Sequence, residues 1–223
     1  MLMKKNCKRT LPFAGAALLA GVVLCSGCGF SQGQLLWAMG FGSNVKVDAE
    51  FKLTRDGPVL VLVDDQEEQL YSPGTRIELG DKVGKELKAH GAVGELVPPA
   101  ALARLRRQHL NFEERGCREV GQMAKAHQVL WIEVRDLHAE PEVDETISAA
   151  RMSVTVRVVN ALAEERGQER LWPVQREGHI VSTELHANEV MRAKTPPAIA
   201  SKLADKMAEQ IARLFYEHRL EEW

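Results

Sequence analysis

The chain has 223 residues, of which 45% are hydrophobic and 27% charged, and it carries a formal net charge of −2 at pH 7. That mixture excludes a disordered or fibrous chain, and the length suffices for one self-sufficient core. Lys4, Lys5, Lys8 and Arg9 are the only charges in the first 27 residues, so the remainder holds 25 basic against 31 acidic side chains, a net charge of −6. So acidic a body excludes a general nucleic-acid binder, which needs clustered cations to displace counterions. Outside the leader the dense basic run is Arg104, Arg106 and Arg107. Glu113 and Glu114 follow it, and the run reads as a solvated helix face.

Residues 1–28 have the order of an export signal. MLMKKNCKR is a positive amino-terminal region, and Leu11 to Leu24 is a 14-residue apolar run. As a helix that run spans about 21 Å, short of the roughly 30 Å of a bilayer core. Cys25, Ser26, Gly27 and Cys28 come next. The stretch resembles the lipobox of bacterial lipoproteins, although Cys25 stands where an aliphatic residue is usual. The resemblance implies cleavage between Gly27 and Cys28, a lipid on Cys28, and attachment to the membrane. The Cys25–Cys28 spacing also suits zinc or a redox pair, but zinc needs more ligands than lie nearby, and the redox motif belongs at a helix start after a strand. With Cys7 and Cys25 removed and Cys28 acylated, Cys117 is the one cysteine left, so the mature chain has no internal disulfide to form. Cys117 is expected to be a small buried hydrophobe.

The expected organisation is a signal peptide over 1–27, a lipidated tether over 28–57 and a globular domain over 58–223. In the tether, GFSQGQ and MGFGSN flank the apolar QLLWAM. Leu35, Leu36 and Trp37 suit either the membrane interface beside a lipid anchor or packing back on the domain. VKVDAEFKL, 45–53, alternates as an edge strand does. VLVLV, 59–63, is a continuous apolar run of the kind found in a strand buried on both faces.

Residues 75–90 read as a helix whose Leu79, Val83 and Leu87 share a face, with Glu78–Lys82, Asp81–Lys85 and Lys82–Glu86 pairs at i,i+4. A short strand follows at Glu95. Pro99 opens a second helix with Leu102, Leu105, His109 and Phe112 on one face, continuing helically over 113–127. QVLWIEVRDL, 128–137, and RMSVTVRVV, 151–159, are strands. In the second, Met152, Val154, Val156 and Val158 point one way and Arg151, Ser153, Thr155 and Arg157 the other. LWPV and GHIVSTEL, 178–185, give two further strands, and 186–197 a loop. The last helix carries Ile199, Leu203, Met207, Ile211, Leu214 and His218 on one stripe. The order β-α-β-α-β-β-β-β-α predicts an α/β fold: a mixed β-sheet with helices packed on it.

VLVLVDD, GKELKAHG, ELVPPAALARL, EVGQMAKAHQVLWIEV and MSVTVRVVNA, in this order over 58–218, resemble the domain of a group of bacterial envelope proteins. The group comprises the curli-secretion lipoproteins, the lipoprotein activators of penicillin-binding proteins and the amino-terminal domain of the Tol-system protein TolB. The group's Asp-x-x-Thr-Gly hairpin turn is replaced here by Asn160 and the longer EERGQ. The resemblance implies a non-catalytic envelope domain that binds other proteins or self-associates.

Candidate chemistry is sparse. Asp64 and Asp65, with Glu67 and Glu68, follow a buried strand, where ligands of α/β sheets gather, and paired carboxylates there can hold Mg²⁺ or Ca²⁺. They fit neither a calcium loop nor a phosphate-cradling turn, and a solvated acidic loop is the simpler expectation. His127, Glu133, Asp136 and His138 are metal-ligating types, but strict alternation puts Glu133 opposite Asp136 and His138. No Gly-x-Ser-x-Gly elbow or nucleophile–base pair is present. Trp172 is a candidate interface aromatic beside Leu36 and Trp37.

The sequence therefore predicts a protein held in the cell envelope, outside the cytoplasm, by a lipid on Cys28. It lies on the periplasmic side of an outer membrane where one exists, since Gly29 rather than Asp follows the cysteine. It acts on an envelope protein partner or on itself, not on nucleic acid, without catalysis and with no cofactor. A metal-dependent hydrolase or ligand-binding enzyme using the Asp64–Asp65 loop is the alternative, and a lipid-tethered structural domain without a partner the third.

Overall fold

The computed structural model describes residues 46–65, 69–70, 73–139, 150–164 and 167–219. The chain divides into two compact units, one of them Lys46–His218, which is the body described below. Its elements in chain order are β1 (Lys46–Val47), β2 (Pro58–Asp64), α1 (Pro73–Ala89), β3 (Glu95–Leu96), α2 (Pro99–Gln108), α3 (Cys117–Met123), β4 (Gln128–His138), β5 (Ala150–Asn160), β6 (Arg170–Trp172), β7 (His179–Leu185), α4 (Ala187–Ala193), α5 (Pro196–Arg213) and β8 (His218–Arg219). β1 and β8 lie outside the main sheet.

The main sheet has the order β3-β2-β4-β5-β6, with β7 also paired to β5. β3, β2 and β4 are mutually parallel, and β5 runs antiparallel to β4, β6 and β7. The mixed α/β architecture expected from the sequence is the one observed. The parallel half needs crossover connections, and α1 and then α2 with α3 supply them. The crossovers cover both faces of β2. Val59 and Val63 face one core, with Leu79, Val83 and Leu87 of α1 and Ile199, Leu203, Met207 and Ile211 of α5. Leu60 and Leu62 face a second, smaller core, with Leu102, Phe112, Val120 and Val129. Burial on both sides is why the β2 sequence is apolar without alternation.

Several local expectations are corrected. The expected edge strand over 45–53 is reduced to Lys46–Val47, while Leu53 is buried and Phe51 packs on the larger core. Residues 113–127 are not one helix, since α3 covers only Cys117–Met123. It ends where Lys125 turns to a positive φ of 56°. The expected loop 186–197 contains α4, whose start is fixed by the His186 N–H donating to Glu189 Oε2 at 3.0 Å. α5 stops at Arg213, so His218 is off its stripe. Lys82 turns from Glu86 and bridges Glu78 and Asp205, both at 2.7 Å, tying α1 to α5. Thr155 is buried, because Gly178 leaves room for its methyl group: a Cβ at Gly178 would lie 2.3 Å from it.

Candidate functional site

α1 and α2 pack on opposite faces of β2, and β3 is too short to fill the sheet edge between them. β3 pairs with β2 only at Pro58 and Val59, and the Val97 N–H then donates to Val59 O at 2.9 Å before Pro98 turns the chain into α2. Alternate residues of a strand aim their backbone groups at the same side, so Val61 and Val63 face the side Val59 faces. Among the described residues no strand lies beside them there. What lies there is a cleft of about 280 Å³. Its walls are Ile77, Gly80 and Gly84 of α1 and Pro99, Leu102 and Ala103 of α2, and its floor is Val61 and Val63. Val61 is half-buried although Val59 and Val63 are fully packed.

The rim is cationic. Arg76, Lys85, Lys88 and Arg106 line the cleft with one acid, Asp81, which Lys85 holds at 2.5 Å. Arg76 takes both oxygens of Glu113, at 3.2 and 3.3 Å, and Arg106 Nε lies 3.3 Å from the same carboxylate. Two guanidinium groups thus share one carboxylate. The Nε atoms of both are buried with no hydrogen-bond partner among the described residues. Burial, then the neighbouring Arg76 charge, hold the Arg106 pKa below its ordinary value, against the opposing pull of Glu113 and Asp64. Arg106 Nη2 reaches Val63 O at 3.4 Å. The expectation of a solvated basic face holds for Arg104 and Arg107, which are exposed, but not for Arg106, whose side chain is 15% exposed. Arg106 follows Leu102 by one helical turn, which is the signal in the sequence that places it on the inward side.

Asp64 accepts the Trp131 Nε1–H at 3.3 Å, and Asp65 accepts the backbone N–H groups of Gln69 and Leu70 at 2.8 and 3.0 Å. Asp64 thus ties the end of β2 to β4 and Asp65 holds the chain after β2, and no group of three metal-ligating side chains occurs among the described residues. Glu133, Asp136 and His138 share a face after all. A bulge between Val134 and Asp136 shifts the register, so the three pair with Thr155, Ser153 and Arg151 of one β5 face. There Arg157 takes Glu133 at 2.8 Å and Arg151 takes Asp136 at 3.0 Å, with the Arg157 guanidinium 4.8 Å from the Trp131 ring centroid. On this face the Arg151–Asp136 pair is open to water, whereas the Arg157–Glu133 pair is mostly covered. Trp172 is half-buried among Phe51, His179 and Phe215. Cys117 is half-buried at the start of α3, and burial raises its thiol pKa. Gly27, Cys28, Leu36 and Trp37 lie outside the described residues.

Neither a protein-family model nor a curated protein matches the chain. Among solved structures it is similar to a PelC dodecamer from Paraburkholderia phytofirmans, at 12% identity over 77% of this chain and 97% of that one, with a TM-score of 0.41. It is similar to protein CT253 from Chlamydia trachomatis, at 15% identity over 73% of this chain and 98% of that one, with a TM-score of 0.41. The lipoprotein GNA1162 from Neisseria meningitidis matches at 15% identity over 70% of this chain and 98% of that one, with a TM-score of 0.42. Similarities of this size assign no function.

What the edge cleft can do follows from its own parts. An apolar floor and walls favour an apolar group, and the surplus of cations favours a carboxylate or another anion beside it. A strand edge on the floor offers donors and acceptors to a partner's backbone.

Proposed function

We propose that the chain is a lipid-anchored cell-envelope protein whose body docks another protein or assembles with itself, without catalysis. The anchoring half rests on the leader, where a 14-residue apolar run ends in Ser26, Gly27 and Cys28. The docking half rests on one observation, the open cleft between α1 and α2 with its apolar walls and cationic rim. A groove with apolar walls, a surplus of cations at its rim and no nucleophile beside a base among its lining residues suits recognition better than bond-making.

The anchor is tested by the intact mass of the amino-terminal peptide from protein made in a bacterial envelope. The expected peptide begins at Cys28 with added acyl mass. One that begins at Met1 unmodified refutes the anchor. Photo-crosslinking from Ile77, which lines the cleft and is 45% exposed, tests the docking half, with the more exposed Met191, at 70%, as control. Adducts from both positions alike refute docking at this face.

A further inference from the structure

The cleft has the shape of a missing strand. β3 stops after two residues, yet the helices that would cover a longer β3 stand apart as though it continued. On the α1 side the wall is thinned by two glycines. The nearest atoms to a Cβ at Gly80 are Val63 Cγ2 at 3.4 Å and Val61 O at 3.9 Å, and at Gly84 the nearest is Leu96 Cδ1 at 3.3 Å. A side chain larger than alanine at Gly80 or Gly84 would reach into the space above the β2 edge. Glycine in a helix interior costs about 1 kcal/mol relative to alanine. At Gly84 the close approach of Leu96 accounts for it, whereas at Gly80 a Cβ would make only ordinary contact, so that glycine is a local cost that packing alone does not require.

We propose that the cleft binds an extended peptide segment of a partner protein, which adds to the sheet as a strand against Val61 and Val63 and places an acidic group at Arg76 and Arg106. This rests on the docking function proposed above and names the chemistry of the partner. The backbone decides between a peptide and another amphipathic anion. A fatty acyl chain would fill the apolar walls and pair its carboxylate with the rim, but it would cover the Val61 backbone groups and the Val63 N–H without pairing them, Val63 O being held by Arg106, at a cost of about 1–3 kcal/mol for each group so buried. A peptide strand meets those groups, puts alternate side chains against Ile77 and Leu102, and uses the same cations. The charge at the Val63 end sets the acidic requirement, since Arg76 and Arg106 divide Glu113 between them.

The test selects a displayed library of random decapeptides on the intact chain. The winners are synthesised, then measured by fluorescence polarisation and by amide hydrogen exchange. Expected winners alternate apolar residues and carry an acidic residue near one end. Their binding falls at least tenfold in Gly80→Leu and in Ile77→Glu, and at least tenfold when alternate peptide amides are N-methylated. Exchange at Val61 and Val63 slows on binding. Ile77→Glu changes an exposed side chain, so it reports on the cleft even where Gly80→Leu perturbs α1. No winner sensitive to either variant overturns the proposal. So does a winner that tolerates N-methylation, laurate binding that displaces it without slowing Val61 exchange, or a self-dimer that Ile77→Glu abolishes. A chain that carries the Cys28 lipid and crosslinks partners, yet yields no cleft-dependent peptide, sinks the added strand and leaves the docking function standing.

Discussion

At Gly121 α3 lies close against the sheet, and replacing this residue tests the packing of the smaller core. A Cβ at this position would sit 2.5 Å from Val129 Cγ2 and 2.9 Å from Ala161 Cβ. Val129 and Ala161 are both fully buried, so neither can swing away. Overpacking of this kind costs about 1–3 kcal/mol, and exchanging a helix-interior glycine for alanine returns about 1 kcal/mol. Gly121→Ala is therefore expected to destabilise the protein by about 1 kcal/mol. Val129→Ala alone deletes two buried methyl groups and is expected to cost about 2 kcal/mol. The double variant removes the closer of the two clashes, so its loss should be smaller than the sum of the single losses by about 1 kcal/mol. Urea unfolding followed by tryptophan fluorescence gives all three values. Additivity to within about 0.3–0.5 kcal/mol would mean that the two positions do not compete for the same space, and the account of α3 docking would fail.

Two further outcomes follow from the packing and from the charges. Leu79→Ala should cost about 2–5 kcal/mol because Leu79 is fully buried beneath α1. Ile77→Ala, two residues away but 45% exposed in the cleft, should cost less than about 0.5 kcal/mol; equal losses in urea melts would refute the assignment of the two α1 faces. Hydrogen bonds from Lys82, then from Ser201, hold the Glu78 pKa below its ordinary 4.5. A depressed carboxylate contributes stability that is present above 4.5 and is lost as pH falls through its folded value, so Lys82→Met should flatten the acid limb of the stability–pH curve below that point. An unchanged acid limb would show that the Glu78–Lys82–Asp205 bridge is not coupled to folding.

Most of the strands are legible because the residue pattern shows which faces each one buries. The apolar run of β2 and the alternation of β5 each have one good solution, burial on both faces and burial on one. The failures have local causes. The bulge in β4 is one inserted residue, Arg135, with no distinctive composition, and it was enough to bring Glu133 to the face of Asp136 and His138. The α4 segment reads as a loop because His186 is an uncommon residue before a helix, although Glu189 three positions later is the expected second half of the cap. Arg106 reads as a surface charge because arginine is rarely buried, yet it lines the cleft and shares Glu113 with Arg76.

The edge cleft was the least legible feature, and the reason bears on what it is. A binding groove of this kind has no motif of its own, since it is built by what the chain leaves out. β3 is ended by Pro98 and Pro99, the second of which stands where the next donor to β2 would be and has no N–H, and α1 carries glycine where a larger side chain would close the gap. Each reads in isolation as a weak point, a strand cut short and a helix diluted by Gly80 and Gly84. Placed together they line one cleft, Gly80 against Val61 and Val63 of β2 and Gly84 against Leu96 at the end of β3, with the unbalanced cations at the same opening. A defect in folding has no reason to collect there. An unprotected edge invites indiscriminate pairing, and proteins ordinarily blunt it with charge, proline or a covering element. Here Pro98 and the cationic rim stand at the mouth while the floor stays apolar. That arrangement discourages pairing with a copy of the same edge, which would bring like charges together, and favours a segment that carries the opposite charge.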